Sequence, residues 1–246
     1  MLQDIGTVSW KEWREYLAGH GSGRFGNLRV LAIIVIAGAF IAFSSGAGWA
    51  TSPIALLANG VYFPLVLTLT MVADSFAGER ERHTLETLLA SRLSDRAILL
   101  GKVAALTSYG WLFGLVGAVL SIVVANLGAL NEAPFFYTPQ IALGIAGLGV
   151  LASGLMASAG CLVSLRAPTT RQAQQTLSLL IIAPLVVGVV GTQLVPSSVR
   201  ANLLNTLSGL DGRSAVLVGV LGLVALDGAL VAIALARFRR DRLILD

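Results

Sequence analysis

The chain has 246 residues, of which 56% are hydrophobic and only 12% charged, and its mean hydropathy is +0.82. Soluble domains carry roughly 25% charged residues, so this chain lacks the polar surface of a water-soluble domain and reads as one integral membrane domain. Its formal net charge of +4 does not signal nucleic-acid binding, because the basic residues sit at the ends of apolar runs, where membrane topology accounts for them.

The first twenty residues mix acids and bases and lack the apolar core of a signal peptide. Ser9-Trp10-Lys11-Glu12 has the spacing of a capping box, with Ser9 as the cap and Glu12 three residues on. Trp10, Trp13 and Leu17 then share one face, while Lys11, Glu12, Arg14 and Glu15 take the others. The pattern predicts an amphipathic helix lying at the membrane interface, with packing against protein as the alternative. Gly19 to Gly26 forms a glycine-rich turn, so residues 1–27 read as an N-terminal segment and 28–246 as the membrane domain.

A bilayer core needs about 20 apolar residues per helix, and six stretches qualify. They run from Val30 to Trp49, Ile54 to Phe76, Ala97 to Asn126, Ile141 to Leu165, Leu177 to Val195 and Ala215 to Phe238. The third is long enough to tilt or protrude. The fold class expected is therefore all-α: a polytopic bundle of six transmembrane helices. With six spans both termini share a side, and that side holds fifteen of the 17 Lys and Arg residues, leaving Arg200 and Arg213 opposite. The bias predicts cytoplasmic termini and a multi-pass protein of the cell (inner) membrane.

The second and third spans are joined by the longest charged passage, Gly78 to Lys102. Leu85, Leu88 and Leu89 fall at helical spacing on one stripe, with Glu79, Arg80, Arg82 and Glu86 largely away from it. Arg82 and Glu86, four apart, are expected to pair. The composition predicts a short amphipathic helix on the cytoplasmic side, which as a plain topogenic loop would need no further role. The second loop on that side is Arg166-Ala167-Pro168-Thr169-Thr170-Arg171, where Pro168 ends the fourth helix and a threonine caps the fifth.

On the far side, Phe135-Phe136-Tyr137 suits an interfacial aromatic belt, and Val199, Leu203, Leu204 and Leu207 could stripe a short helix within Pro196 to Asp211. Two acids lie in apolar runs: Asp74 near the cytoplasmic end of the second span and Asp227 midway along the sixth. An intramembrane acid marks either a substrate or proton path or a hydrogen bond between helices. Gly110, Gly114 and Ala118 recur every four residues in the third span, and Ser153/Ala157 and Gly154/Ser158 do so in the fourth. Such stripes permit close helix approach, in the chain's own bundle or at a dimer seam. Pro64 and Pro184 are expected to bend their spans. The single Cys161 excludes an intrachain disulfide and a cysteine-based metal site, and no HExxH, GxSxG or phosphate-loop motif occurs.

The order Gly78-Glu79-Arg80-Glu81, then Thr84-Leu85-Glu86-Thr87-Leu88-Leu89, then Gly101-Lys102 resembles the signature of ATP-binding cassette (ABC) permeases of the type-2 export class. That family often has a proline where this chain has Arg92-Leu93-Ser94. The resemblance implies a coupling helix at about 78–93 that docks on a separate ABC ATPase subunit through Glu79, Arg80, Glu81, Arg82, Thr84 and Glu86. It implies a secondary contact at Arg166 and Arg171, a short helical excursion before the last span, and pairing with a second permease copy or paralogue. ATP and Mg would be bound by the ATPase and no cofactor by this chain, which would act as a non-enzymatic export subunit in contact with membrane lipid. Two other classes stay open at this point. One is an ion- or proton-coupled secondary transporter using Asp227. The other is a non-transport assembly factor that recruits a partner through the charged loop.

Overall fold

A computed structural model describes residues 1–18, 42–130, 133–194 and 212–238, and among these it is helical with no strand. Helix α1 is Leu2–Ala18. A 3-10 turn at Gly46–Thr51 leads into α2, Pro53–Glu81, which contains a π-helical turn at Ala58–Tyr62. A short α3, Leu85–Leu89, precedes the long α4, Asp95–Gly128. Helices α5, Pro139–Ser164, α6, Thr170–Leu194, and α7, Gly212–Arg237, complete the order.

The starts of these helices follow from local chemistry. Ser52 caps α2, its side chain accepting from the Ile54 amide at 3.1 Å, with Pro53 at the first helical position. Ser94 caps α4 in the same way through the Ala97 amide. Thr169 caps α6, accepting from the Gln172 amide at 3.2 Å, so the expected threonine cap forms. The π turn in α2 also has a sequence cause. Pro64 follows it, and a proline ring clashes with the carbonyl four residues back, here Gly60, which the wider turn accommodates.

Among the described residues four helices are long and apolar enough to cross a membrane: Pro53–Glu81, Asp95–Gly128, Pro139–Ser164 and Gly219–Arg237. They cover the second, third, fourth and sixth expected spans. The backbone of α6 covers the fifth, while most of the first, residues 30–41, and the outer segment 195–211 lie outside the described residues. At 34 residues, α4 is about 51 Å long, well beyond a bilayer core of about 30 Å. Its first turns therefore project on the charged side, where α1 packs.

The main core lies where α2, α4 and α5 meet, around Val72, Phe76, Leu99, Leu106 and Met156. Small residues set its closeness. A Cβ on Gly110 would run into the Thr68 hydroxyl of α2, and one on Gly114 would come within 2.7 Å of the Pro64 ring. The glycine stripe of the third span thus serves the chain's own bundle.

Two local expectations are corrected. Ser9 is no helix cap, because α1 already begins at Leu2. The Ser9 hydroxyl instead donates to the Gly101 carbonyl of α4 at 2.9 Å. Trp10 and Trp13 also part company: Trp10 is exposed, whereas Trp13 donates its indole N–H to Ser108 of α4 and packs on Tyr109. One face of α1 is therefore held by protein.

Candidate functional site: the charged end of the bundle

The single helix expected at about 78–93 does not form. Helix α2 ends at Glu81 and the chain turns through Arg82 and His83, whose φ of 56° is left-handed. The Thr84 amide reaches back to the Glu79 carbonyl at 2.9 Å and the His83 amide to Arg80 at 3.1 Å, the two bonds of a Schellman ending. Glycine usually fills the left-handed position, and a histidine there carries steric strain. The stripe residues survive the break in part: Leu85 is buried, and Leu88 packs partly buried against the same core.

The four residues before the turn point four ways. Glu79, expected on an outward polar face, is 4% exposed. Its Oε1 accepts from Lys102 Nζ at 3.0 Å and lies 3.6 Å from Lys11 Nζ. Arg80 donates from its two Nη atoms to the Ala167 and Leu165 carbonyls at 2.6 and 2.9 Å. Those carbonyls belong to the frayed C-terminus of α5, where a cation offsets the partial negative charge. Glu81 accepts from the backbone amide and the hydroxyl of Thr170, at 2.9 and 3.1 Å. A carboxylate there satisfies an orphan donor at the start of α6 and matches its dipole. Arg82 pairs with Asp74, about two turns back on α2, at 3.1 Å, and not with Glu86 as expected. The sequence Glu-Arg-Glu-Arg is therefore a set of ties from the end of α2 to α1, α4, α5, α6 and itself.

The centre of this network is Lys102, 1% exposed. Its three ammonium hydrogens are matched by Glu12 Oε1 at 2.8 Å, the Ser75 carbonyl at 2.9 Å and Glu79 Oε1 at 3.0 Å. The ammonium also lies 5.1 Å from the Phe76 ring centroid. Glu12 is 2% exposed, and its second oxygen accepts from the Tyr16 hydroxyl at 3.1 Å. Burial pushes the Tyr16 hydroxyl well above the ordinary tyrosine pKa, and the Glu12 carboxylate adds to the push. Tyr16 therefore remains a donor at any physiological pH. Gly101 makes the arrangement possible, since a Cβ there would come within 2.6 Å of Val8 on α1.

Outward of the ties, Arg82, His83, Thr84 and Glu86 are exposed. Arg171 is exposed in the first turn of α6. Arg166, after the end of α5, is exposed too but lines a separate groove with Arg237. Asp227 of α7 accepts a hydrogen bond from Ser158 of α5 at 2.9 Å, and its carboxylate sits over Gly154. Of the two uses an intramembrane acid could have, the geometry here displays an interhelical tie. Among the described residues no group of His, Cys, Asp and Glu could hold a metal ion.

Sequence reasoning missed a second polar knot at the opposite end. Asn59, on the π turn, Ser121 of α4, Trp49 and Tyr137 converge there. Ser121 Oγ donates to Asn59 Oδ1 at 3.2 Å and lies 2.8 Å from Tyr137 OH, and Trp49 Nε1 donates to Tyr137 OH at 3.1 Å. The available signal was a buried-class amide in an apolar run, Asn59.

The family model for the ABC-2 family transporter protein matches residues 43–208, two thirds of the chain. That range contains the tie network apart from its α1 members Lys11, Glu12 and Tyr16. A comparison with curated proteins finds no match.

Proposed function

This chain belongs to the ABC-2 transporter family, and from that premise we propose that it is the membrane permease subunit of an ABC exporter, driven by a separate ATPase at its charged end. The observation that carries the proposal is the Glu79–Arg82 set of ties. A push on the short α3 next to it is transmitted to α1, α2, α4, α5 and α6 together, because charge-assisted bonds join all five. The docking face is narrower than the motif suggests. Glu79, Arg80, Glu81 and Arg82 are committed to partners inside the chain and the Thr84 hydroxyl donates to the Glu79 carbonyl at 3.3 Å, which leaves Glu86, beside the exposed His83, to meet the ATPase. Arg171 adds a cation beside them through the Glu81–Thr170 contact.

In this reading the ATPase binds ATP and Mg, two permeases pair, and substrate crosses between them as α3 is moved. The fifteen-to-two partition of basic residues supports a cytoplasmic charged end and cytoplasmic termini in the inner membrane. It also supports six spans, since an odd number would spoil the partition.

The test is charge reversal at a residue that has no internal role. Glu86→Arg is expected to lower co-purification of the cognate ATPase and ATP-dependent transport, with the permease's own thermal stability unchanged. Full retention of both would sink the docking assignment.

A further inference from the structure

Helices α5 and α7 run parallel, with Asp227 against Ser158 and, about ten residues on, Arg237 level with Arg166. Helix α6 leaves from the same end and also packs on α5. The result is a groove of about 350 Å³ at the charged end. Its floor is Leu162 and Val163 of α5, and its walls carry Gln172 and Thr176 of α6 on one side and Arg237 on the other. Arg166 stands at the rim.

Three features of this groove distinguish it from a polar turn. Among the described residues no acid lines it. Neither the Arg166 nor the Arg237 side chain has a hydrogen bond or ion pair to a described residue, in contrast to those of Lys102, Arg80 and Arg82 at the same end. Finally, the helix faces that line the groove continue into apolar surface: Leu179 and Leu180 of α6 follow Thr176 at i+3 and i+4, Ile233 and Leu226 of α7 precede Arg237 at i−4 and i−11, and all four are exposed. An anionic head with amide and hydroxyl donors beside it, above two apolar walls, is the shape of a phospholipid with its chains laid along the helices.

We propose that this groove binds the headgroup of an anionic phospholipid of the leaflet at the charged end, with Arg166 and Arg237 on the phosphate and Gln172 and Thr176 on its ester or glycerol oxygens. The site rests on the membrane reading of the chain but not on the ATPase. Arg166 is thereby assigned to lipid and not to the secondary protein contact that the family resemblance implied. Sequence beyond the groove keeps the same sign, with Arg239, Arg240 and Arg242 against Asp241 and Asp246.

The test uses the full chain, without ATPase, in nanodiscs holding equal phosphatidylglycerol and phosphatidylcholine, with bound lipid counted by native mass spectrometry after transfer to detergent. Wild type is expected to retain phosphatidylglycerol selectively, and Arg166→Gln/Arg237→Gln to lose about tenfold or more of that preference, each basic residue near a membrane surface contributing about 1 kcal/mol. Arg92→Gln/Arg96→Gln removes the same charge from exposed positions elsewhere at this end and is expected to retain the preference. Because neither groove arginine pairs with a carboxylate among the described residues, the double variant strands none of these, and an unchanged melting temperature verifies its fold. Equal loss in both double variants would reduce the effect to general surface charge and overturn the site. Displacement by glycerol phosphate at equal concentration would show a site for soluble phosphate and overturn the lipid assignment. Unaltered lipid retention by the Arg166→Gln/Arg237→Gln variant would overturn the site.

Discussion

Lys102→Met isolates the clamp that joins α1 to the second and third spans. Methionine keeps most of the stem's volume and removes the ammonium, so the change is electrostatic before it is steric. Glu12 Oε1 then loses its 2.8 Å partner and Glu79 Oε1 its 3.0 Å partner, while both side chains stay at most 5% exposed. What remains is Lys11, half in solvent, 3.6 Å from Glu79 and 3.9 Å from Glu12. Removing one partner of a buried ion pair costs about 3–5 kcal/mol, because the other charge is stranded. Lys11 and uptake of a proton by one carboxylate offset part of this, so about 3 kcal/mol is expected. For a chain of this size each kcal/mol moves the melting temperature by about 2–4 °C, giving a fall of about 6–12 °C in detergent. Trypsin should also cleave faster after the exposed Arg14 as α1 loosens. The triple variant Lys102→Met/Glu12→Gln/Glu79→Gln neutralises the whole cluster and should recover most of the loss. A single variant within about 2 °C of wild type, or a triple variant no better than the single, would refute the claim that this cluster holds α1 in place.

Three further variants probe the rest of the frame. Gly110→Leu would drive a side chain into Thr68 and the Pro64 carbonyl, and overpacking of this kind costs about 3 kcal/mol. Folded yield by size-exclusion fluorescence should fall, while Gly147→Leu, with nothing within 4 Å of its Cβ, should leave it unchanged. His83→Gly relieves the left-handed strain at the end of α2 and should raise stability by about 1 kcal/mol, read as a higher melting temperature. Asp227→Asn keeps an acceptor for Ser158, so transport and stability should both survive. Loss of transport with intact folding would revive a proton-coupled role for Asp227.

Apolar length made most of the frame legible in the sequence. The third span was expected from Ala97 to Asn126 and α4 runs Asp95–Gly128, since a run of that length has no other stable state in a bilayer. The Gly110 and Gly114 stripe was readable for the same reason, though only the structure shows that it meets Pro64 and Thr68. What the sequence could not convey is pairing at a distance. Glu12 and Lys102 are 90 positions apart, and nothing local distinguishes a buried Lys102 from a topogenic one. The misread helix at about 78–93 has a different cause. Its leucine spacing is compatible with one continuous helix, and the left-handed His83 that divides it belongs to a residue type without glycine's signal. Ser9 to Glu12 fits the capping-box pattern, yet both side chains are drawn to α4 by tertiary bonds that outweigh local preference.

The placement of Glu79 changes how force would travel through such a permease. A charged motif on an outward face would bond to the ATPase directly, and each bond would be exchanged with water at every cycle. Here the charges adjacent to the turn are matched to helix ends instead: Arg80 to the carbonyls closing α5 and Glu81 to the amide opening α6. Reversing that order would set like against like at both ends. The alternation of sign at positions 80 and 81 therefore follows from the antiparallel passage of α5 into α6 beside the end of α2. Under the proposed function, a partner gripping only α3 would move a preassembled unit of helices, and the exposed Glu86 would supply specificity rather than the strength of the linkage.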